Sequence, residues 1–447
     1  MEIDTGDTAW VLISAVLVLL MTIPGLALFY GGMTRTKNTL NMMMMSYISL
    51  AVVGALWVLI GYSIAFGNSL GGAGLLGNPG EYFGLRTLMS EDSVAGTIPS
   101  LAFVAFQAAF AIIATALISG AAADRISFRG WIAFSAVWAL IVYFPVAHWV
   151  FAFSSEDGGT VGGWIANQLA VIDFAGGTAI HINAGASALA LVLVLGKREG
   201  FGTTAMRPGN LVSVMMGSAL LFIGWFGFNA GSAVGANWVA STAFVNTLAA
   251  TATAVIGWLI VEQIRDGHGT SLGAASGIVA GLVGITPAAN SVSPVGALIL
   301  GLIVGAVCAL AVSLKFKWGY DDSLDVVGVH MVGGLVGTLL IGFIADPGSP
   351  AGVAGLFYGG GVDQLWRQAV GAIAVLAYAF LLSYAIAWVI NKISPLRVTP
   401  DEERAGLDIT VHAEQAYDFS GIASGVSALP HSGAVPSSGT TQQEVKA

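Results

Sequence analysis

Apolar runs long enough to cross a bilayer recur along the chain, at roughly 9–31, 41–66, 98–121, 128–151, 176–196, 209–230, 239–263, 270–287, 294–314, 327–345 and 366–391. A membrane-spanning helix needs about 20 apolar residues, so the pattern predicts eleven transmembrane helices. The eighth and tenth runs are short or broken by glycine. The polar connections are not alike. Taken alternately, one set carries Arg35, Lys37, Arg125, Arg129, Lys197, Arg198, Arg207, Arg265, Lys315, Lys317 and the four bases of the C-terminal segment. The other set carries only Arg86 and Arg367. Basic loops stay on the cytoplasmic side. The bias therefore predicts an outside N-terminus and a cytoplasmic C-terminus, as an odd number of spans requires.

Composition agrees with this reading. Of 447 residues, 56% are hydrophobic and 9% charged, against about 25% charged in an ordinary soluble domain. Sixty glycines suit close helix–helix approach in a membrane. The net charge of −9 comes partly from an acidic tail, and no basic patch suggests nucleic acid. One cysteine, Cys308, excludes an intrachain disulfide. The opening MEIDTGDTAW has three acids and no base, so the first run lacks the positive region of a secretory signal and reads as a retained span. Residues 1–392 are expected to form the membrane domain, 393–420 an ordered cytoplasmic segment, and 421–447, rich in Ser, Gly and Pro, a disordered tail. No second globular domain is expected in this tail, which argues against a fused output enzyme.

Ionisable groups inside a membrane segment are costly and usually functional. DFAGGTAIHINAG (173–185) places Asp173 at the outer end of the fifth span and His181 about 12 Å further in, at 1.5 Å per residue. DVVGVHMVGG (325–334) in the tenth span echoes it. There His330 lies only about 7 Å from Asp325 by the same rise, so the tenth span is expected to begin earlier or to have a broken start. Fifth members of two five-span halves would be related by inversion, a common transporter plan. The fold class expected is an all-α polytopic membrane protein with eleven helices, an inverted five-plus-five repeat and a final helix. The histidines have other readings. Each could merely bond a neighbouring helix, or the two could ligate a haem, although no c-type attachment motif is present.

The aromatics are less specific. FQAAF puts Phe106 and Phe110 on one helix face, and WFGFNAGSA gathers Trp225, Phe226, Phe228, Asn229 and Ser232. Ring faces with a hydroxyl acceptor can hold a cation, yet such rings also serve packing. The run NMMMM (41–45) faces all round a helix, which suits packing better than a copper site.

Together these stretches resemble the ammonium transporter family (Amt/Mep/Rh), and most closely its Amt branch. The resemblance covers about residues 8–420 and is carried by PGLALFYGG, the KN of the first loop, FQAAFA, ADR, PVAHW, DFAGGTAIHINAG, GWFGFNAGSA, DVVGVHMVGG and the tail's GLD with its later H, E and AY. It implies a homotrimer in the plasma membrane with one pore per subunit. It also implies that Phe110 and Phe228 are stacked gate rings, that Ser232 is the hydroxyl acceptor of the outer ammonium site, that His181 and His330 are the paired pore histidines, and that Asp173 is the acid below the outer site. Where well-known members carry Trp in that outer site, this chain has Phe151. Trp149, two positions earlier, points elsewhere on a helix. The implied activity is recruitment and deprotonation of ammonium or methylammonium, then passage of NH₃ with or without its proton. No enzyme activity and no cofactor is implied. Bacterial members bind PII-type signalling proteins, so such a partner is implied too. An ammonium sensor and a Rhesus-type gas channel remain as alternatives.

Overall fold

The structure, a computed structural model, describes residues 2–418. The tail expected to be disordered, 421–447, lies outside the described residues. Eleven of the helices described are long and apolar enough to cross a membrane, numbered here as spans one to eleven: Thr5–Met33, Thr36–Phe66, Ser100–Ala122, Phe128–Phe151, Gly177–Leu195, Leu211–Gly231, Trp238–Asp266, Ser271–Ala288, Pro294–Trp318, Val327–Ile344 and Asp363–Ile393. Span five is the most enclosed, with 83% of its apolar stretch buried, and span eleven the least, with 28%. The site is therefore to be sought around span five. The methionine run behaves as its all-round distribution requires, with Met42 and Met45 in the core and Met44 exposed.

Helix starts in a bilayer must satisfy their free N–H groups locally. Six spans do so with short polar caps. Asp4, Ser127, Asn210, Asn237, Thr270 and Ser293 accept backbone N–H bonds at the starts of spans one, four, six, seven, eight and nine. Such a cap contributes about 1 kcal/mol.

Alternate connections gather on two faces, as the charge pattern predicts. On one face the N-terminus meets the second and sixth connections. Thr97 Oγ1 donates to Asp7 at 2.6 Å, and the Ala236 N–H donates to the same carboxylate at 2.8 Å. On the other face the base-rich odd connections and the C-terminal segment lock together. Asp124 accepts from Arg35 (2.9 Å), Arg198 (3.1 Å), Thr34 (2.7 Å) and Asn38 (2.5 Å). Arg198 also forks onto Asp321 at 2.8 and 2.9 Å. The tail docks on this assembly. Lys37 Nζ donates to the Glu403 and Arg404 carbonyls, Leu407 N–H to Asn38 Oδ1 (2.7 Å), and Asn41 N–H to Asp408 (2.8 Å). Glu403 accepts from Glu199 N–H and Arg397, both at 2.8 Å.

Spans five and ten start alike, with wide π-type turns at Gly177–Ile182 and Val327–Met331. Each start is held by an acid. Asp173 caps span five, accepting the N–H groups of Gly176 (2.8 Å), Gly177 (2.6 Å) and Thr178 (2.8 Å). The acid that caps span ten is Asp322, accepting Val326 N–H (3.0 Å) and Val327 N–H (2.7 Å). This corrects the sequence echo, which paired Asp173 with Asp325. Asp322 precedes His330 by the same eight residues that separate Asp173 from His181. The apparent difference in histidine depth came from counting from the wrong acid. The two spans cross very closely. A Cβ on Gly185 would lie 2.4 Å from Met331 N, and one on Gly334 would lie 3.0 Å from the Gly177 carbonyl and 3.1 Å from His181 Cβ.

Candidate functional site

That crossing brings His181 and His330 face to face. Their Nδ1 atoms are 3.3 Å apart, and both side chains are buried. Only one proton fits between two such nitrogens. One ring donates its Nδ1–H to the lone pair of the other, so in the neutral pair one Nε2 is a bare acceptor and the other an N–H donor. His181 Nε2 is buried with no hydrogen-bond partner among the described residues, so it is open to a small polar visitor. The spacing leaves no room for an iron atom between these nitrogens, since each metal–imidazole bond needs about 2 Å. Haem ligation through that pair of atoms is thereby set aside.

Trp225 walls one face of His181, with ring centroids 5.4 Å apart and planes within 22°. Its indole N–H donates to Thr286 Oγ1 at 2.9 Å, and that hydroxyl donates to the Leu282 carbonyl at 2.7 Å. Span six thus sets the imidazole's face through span eight. Sequence reasoning quoted Trp225 but gave it no part. The signal available was its spacing, three residues before Phe228 on the same helix face.

Above the histidines two rings close the path. Phe110 from span three and Phe228 from span six stack with centroids 4.2 Å apart and planes within 21°. Phe106 meets Phe110 edge-on at 4.8 Å. Phe228 lies 6.1 Å from His181. Rings stacked at van der Waals distance admit nothing between them, so passage requires a side-chain rotation. Ser232 follows one turn after Phe228 and donates its hydroxyl to the Phe228 carbonyl at 2.8 Å. Its oxygen lone pairs stay available as acceptors, and the residue is half-buried.

Two predicted site residues stand apart from this column. Phe151 ends span four, half-buried against the core, without ring contact to Phe106, Phe110 or Phe228. Trp149 cannot take its place, because its N–H is committed to the Leu75 carbonyl at 2.7 Å and its ring to Tyr378 at 4.5 Å. Asp173 is engaged as a cap. Besides the three N–H bonds given above, it accepts from Ala179 N–H at 3.2 Å and from the Thr178 hydroxyl. Its carboxylate therefore fixes the turn that launches His181.

The profile described as Ammonium Transporter Family matches residues 9–417. The chain belongs to the ammonium transporter family. It is 57% identical to an ammonium transporter of Mycobacterium tuberculosis H37Rv, over 96% of this chain and 93% of that one. It is 46% identical to an ammonium transporter of Bacillus subtilis, over 93% and 99%. Among solved structures it resembles a sensor Amt protein with a TM-score of 0.83 at 29% identity, covering 91% of this chain and 98% of the other. It likewise resembles Saccharomyces cerevisiae Mep2, with a TM-score of 0.82 at 32% identity, covering 90% and 89%. It is a multi-pass membrane protein and an ammonium transporter, and the ring column is its candidate substrate path.

On the tail side of this transporter, a slot of ≈ 10 Å³ lies against His330, lined by Tyr30, Ser276, Val329 and Asp325 among others. That is room for about one water-sized molecule. Asp322, beside it and outside the spans, is buried. Burial and the neighbouring Asp325 charge push its carboxyl up to about 6, against Lys315 and the Val327 and Val326 N–H groups.

Proposed function

We propose that ammonium is gathered on the N-terminal face by Ser232, Phe110 and Phe151, sheds its proton, and crosses as NH₃ past Phe228, His181 and His330. The observation that carries this reading is the stacked ring pair closing directly onto two buried, mutually hydrogen-bonded imidazoles. A potassium ion has no proton to shed and would meet that column with its full dehydration cost. Ammonium becomes a neutral molecule whose N–H and lone pair match the one donor and one acceptor that the imidazole pair offers. Selectivity is then a difference between chemical states and not only between sizes. The shared Nδ1 proton offers a path for the released proton, which makes net charge transfer compatible with an apolar bore. Asp173 takes part as a positioning residue: its negative charge lies near the mouth, and its five accepted bonds hold the Gly176–Ala179 turn.

In this proposal the N-terminus is outside, the C-terminus is in the cytoplasm, and the membrane is the plasma membrane, supported by the bases gathered on the tail face. A homotrimer with one pore per subunit, and a PII-type protein docking at the tail face, follow from the family resemblance. The test is current on solid-supported membranes carrying the reconstituted protein, under ammonium, methylammonium and potassium pulses. Ammonium and methylammonium should give transient currents or, for neutral passage, a luminal alkalinisation, with no potassium signal. A protein that binds ammonium but moves none would be a sensor, and the pore reading would fall.

A further inference from the structure

One charged pair on the tail side has no part in the route above. Lys315 is 9% exposed. Its Nζ donates to Asp325 Oδ1 at 2.7 Å and to the Asp322 carbonyl at 2.9 Å. Asp325 lies in the left-handed region at φ +65, which side-chain-bearing residues other than Asn and Asp rarely adopt. It lines the slot that ends on His330. Its neighbours are otherwise committed. The Asp322 carboxylate caps span ten, Asp321 holds Arg198, and Arg125 donates to the Asp321 carbonyl and to Ser323. Tyr30 donates to the Leu117 carbonyl. Capping does not require Asp325, since Asp322 does that work, and a left-handed turn would be easier for glycine. What Asp325 adds is a carboxylate at the inner mouth.

A lysine head is an ammonium ion with one hydrogen replaced by carbon. Against Asp325 and the Asp322 carbonyl it makes the N–H···O bonds that a free ammonium ion would make there. We infer that Lys315 is a tethered ammonium that permanently fills the inner cation site, so that cytoplasmic ammonium and potassium find the last acidic position before His330 already taken. The inference rests on the pore reading above. NH₃ arriving from the histidines is neutral and needs no such site. A cation coming from the other direction must displace a group tethered at an effective concentration on the order of millimolar or above. Lys315 is thus a specificity-determining residue for the direction of cation traffic.

Whole-cell recording sets the solution on each face and so reads this directly. The measured quantity is the ratio of outward to inward current at equal and opposite ammonium gradients, followed by potassium in the pipette. Lys315→Met keeps the apolar stem and removes the charge, and should raise the ratio about tenfold, the scale of one partly screened contact charge. It should also admit outward potassium current. Lys315→Gln, which can still bond Asp325, should do the same, and stands in if the Met variant does not reach the membrane. Lys315→Arg should keep the wild-type ratio. Lys315→Met combined with Asp325→Asn removes both the plug and the acid, and should return the ratio toward wild type. A wild-type protein that gives neither inward ammonium current in this recording nor luminal alkalinisation in vesicles would overturn the pore reading itself. A working wild type, with the ratio unchanged in both Lys315→Met and Lys315→Gln, would overturn this inference alone.

Discussion

Replacing Asp173 by asparagine keeps the shape of the side chain and removes its charge and half of its accepting capacity. In the structure one carboxylate oxygen takes the N–H groups of Gly176 and Gly177, and the other takes those of Thr178 and Ala179 together with the Thr178 hydroxyl. An asparagine can serve one of these sets with its carbonyl. Its NH₂ then confronts the other set, donor against donor, and at least two N–H groups lose their acceptor. All four donor residues lie in buried positions. Each orphaned buried donor costs about 1–3 kcal/mol, so the turn loses roughly 2–6 kcal/mol of local stability, plus up to about 1 kcal/mol of charge–dipole attraction at the helix start. His181 follows two residues after Ala179, so the loss falls on the geometry of the imidazole pair. At about 1.4 kcal/mol per tenfold, even the lower bound predicts a fall in ammonium conduction of roughly thirtyfold. The assay is ammonium current normalised to reconstituted protein, alongside the apparent melting temperature in detergent, which should also drop. Asp173→Glu should retain part of the activity, because charge and acceptors survive while the reach changes. Wild-type current and melting temperature in Asp173→Asn would refute the argument.

Other outcomes follow from the same geometry. Phe151→Trp should raise apparent affinity a few-fold, the worth of about 0.5–1 kcal/mol for an exposed cation–π contact, and an unchanged half-saturation concentration would mean that Phe151 does not face the ion. His181→Asp should wet the pore and admit potassium current, whereas His181→Leu should remove the shared proton and lower ammonium current; unchanged ammonium current with potassium still excluded in the Leu variant would make the pair structural. Asp322 gives a pH signature. Its folded value, about 6, lies above the ordinary aspartate value of 3.8, so its neutral form favours the fold below about 3.8 and that contribution is lost as pH rises through 6. Stability should fall across that window by on the order of 3 kcal/mol at 1.36 kcal/mol per unit, read as a drop in melting temperature in detergent, and Asp322→Asn should flatten the drop. Asp124 and Asp321, buried yet held low by arginine partners, act in the opposite sense below the ordinary aspartate value of 3.8.

Much of this was legible along the chain because the membrane constrains it so strongly. Eleven runs of sufficient length, and the alternation of Arg and Lys between connections, left little freedom in the order of spans. The histidines stood out because an ionisable residue within an apolar run is costly. What the sequence concealed were relations between segments. DDSLD offers three acids, and nothing in its spacing says which one caps span ten; only the positions of the Val326 and Val327 N–H groups decide for Asp322. Trp225 looked like packing until its stacking on His181 and its bond to Thr286 were visible. The motif placed Phe151 in the outer site, yet its ring joins no gate ring, because contact there depends on where span four ends.

The docking of the C-terminal segment also bears on the order in which the protein is made. Asn38 and Asn41 find their partners 369 to 371 residues later, in Leu407 and His412, and Lys37 finds the Glu403 carbonyl 366 residues later. Closure over so long a loop costs little more than over a moderate one, since the entropy grows only with the logarithm of length. The delay is another matter. The first base-rich connection leaves the ribosome early, and its amide and ammonium groups are held by water until nearly the whole chain has been translated. A nascent chain halted before Asp408 leaves the Leu40 and Asn41 N–H groups without their acceptor. The finished face therefore closes only once the chain has been made through Asp408, so the first connection is the earliest part of that face to be translated and among the last to be satisfied.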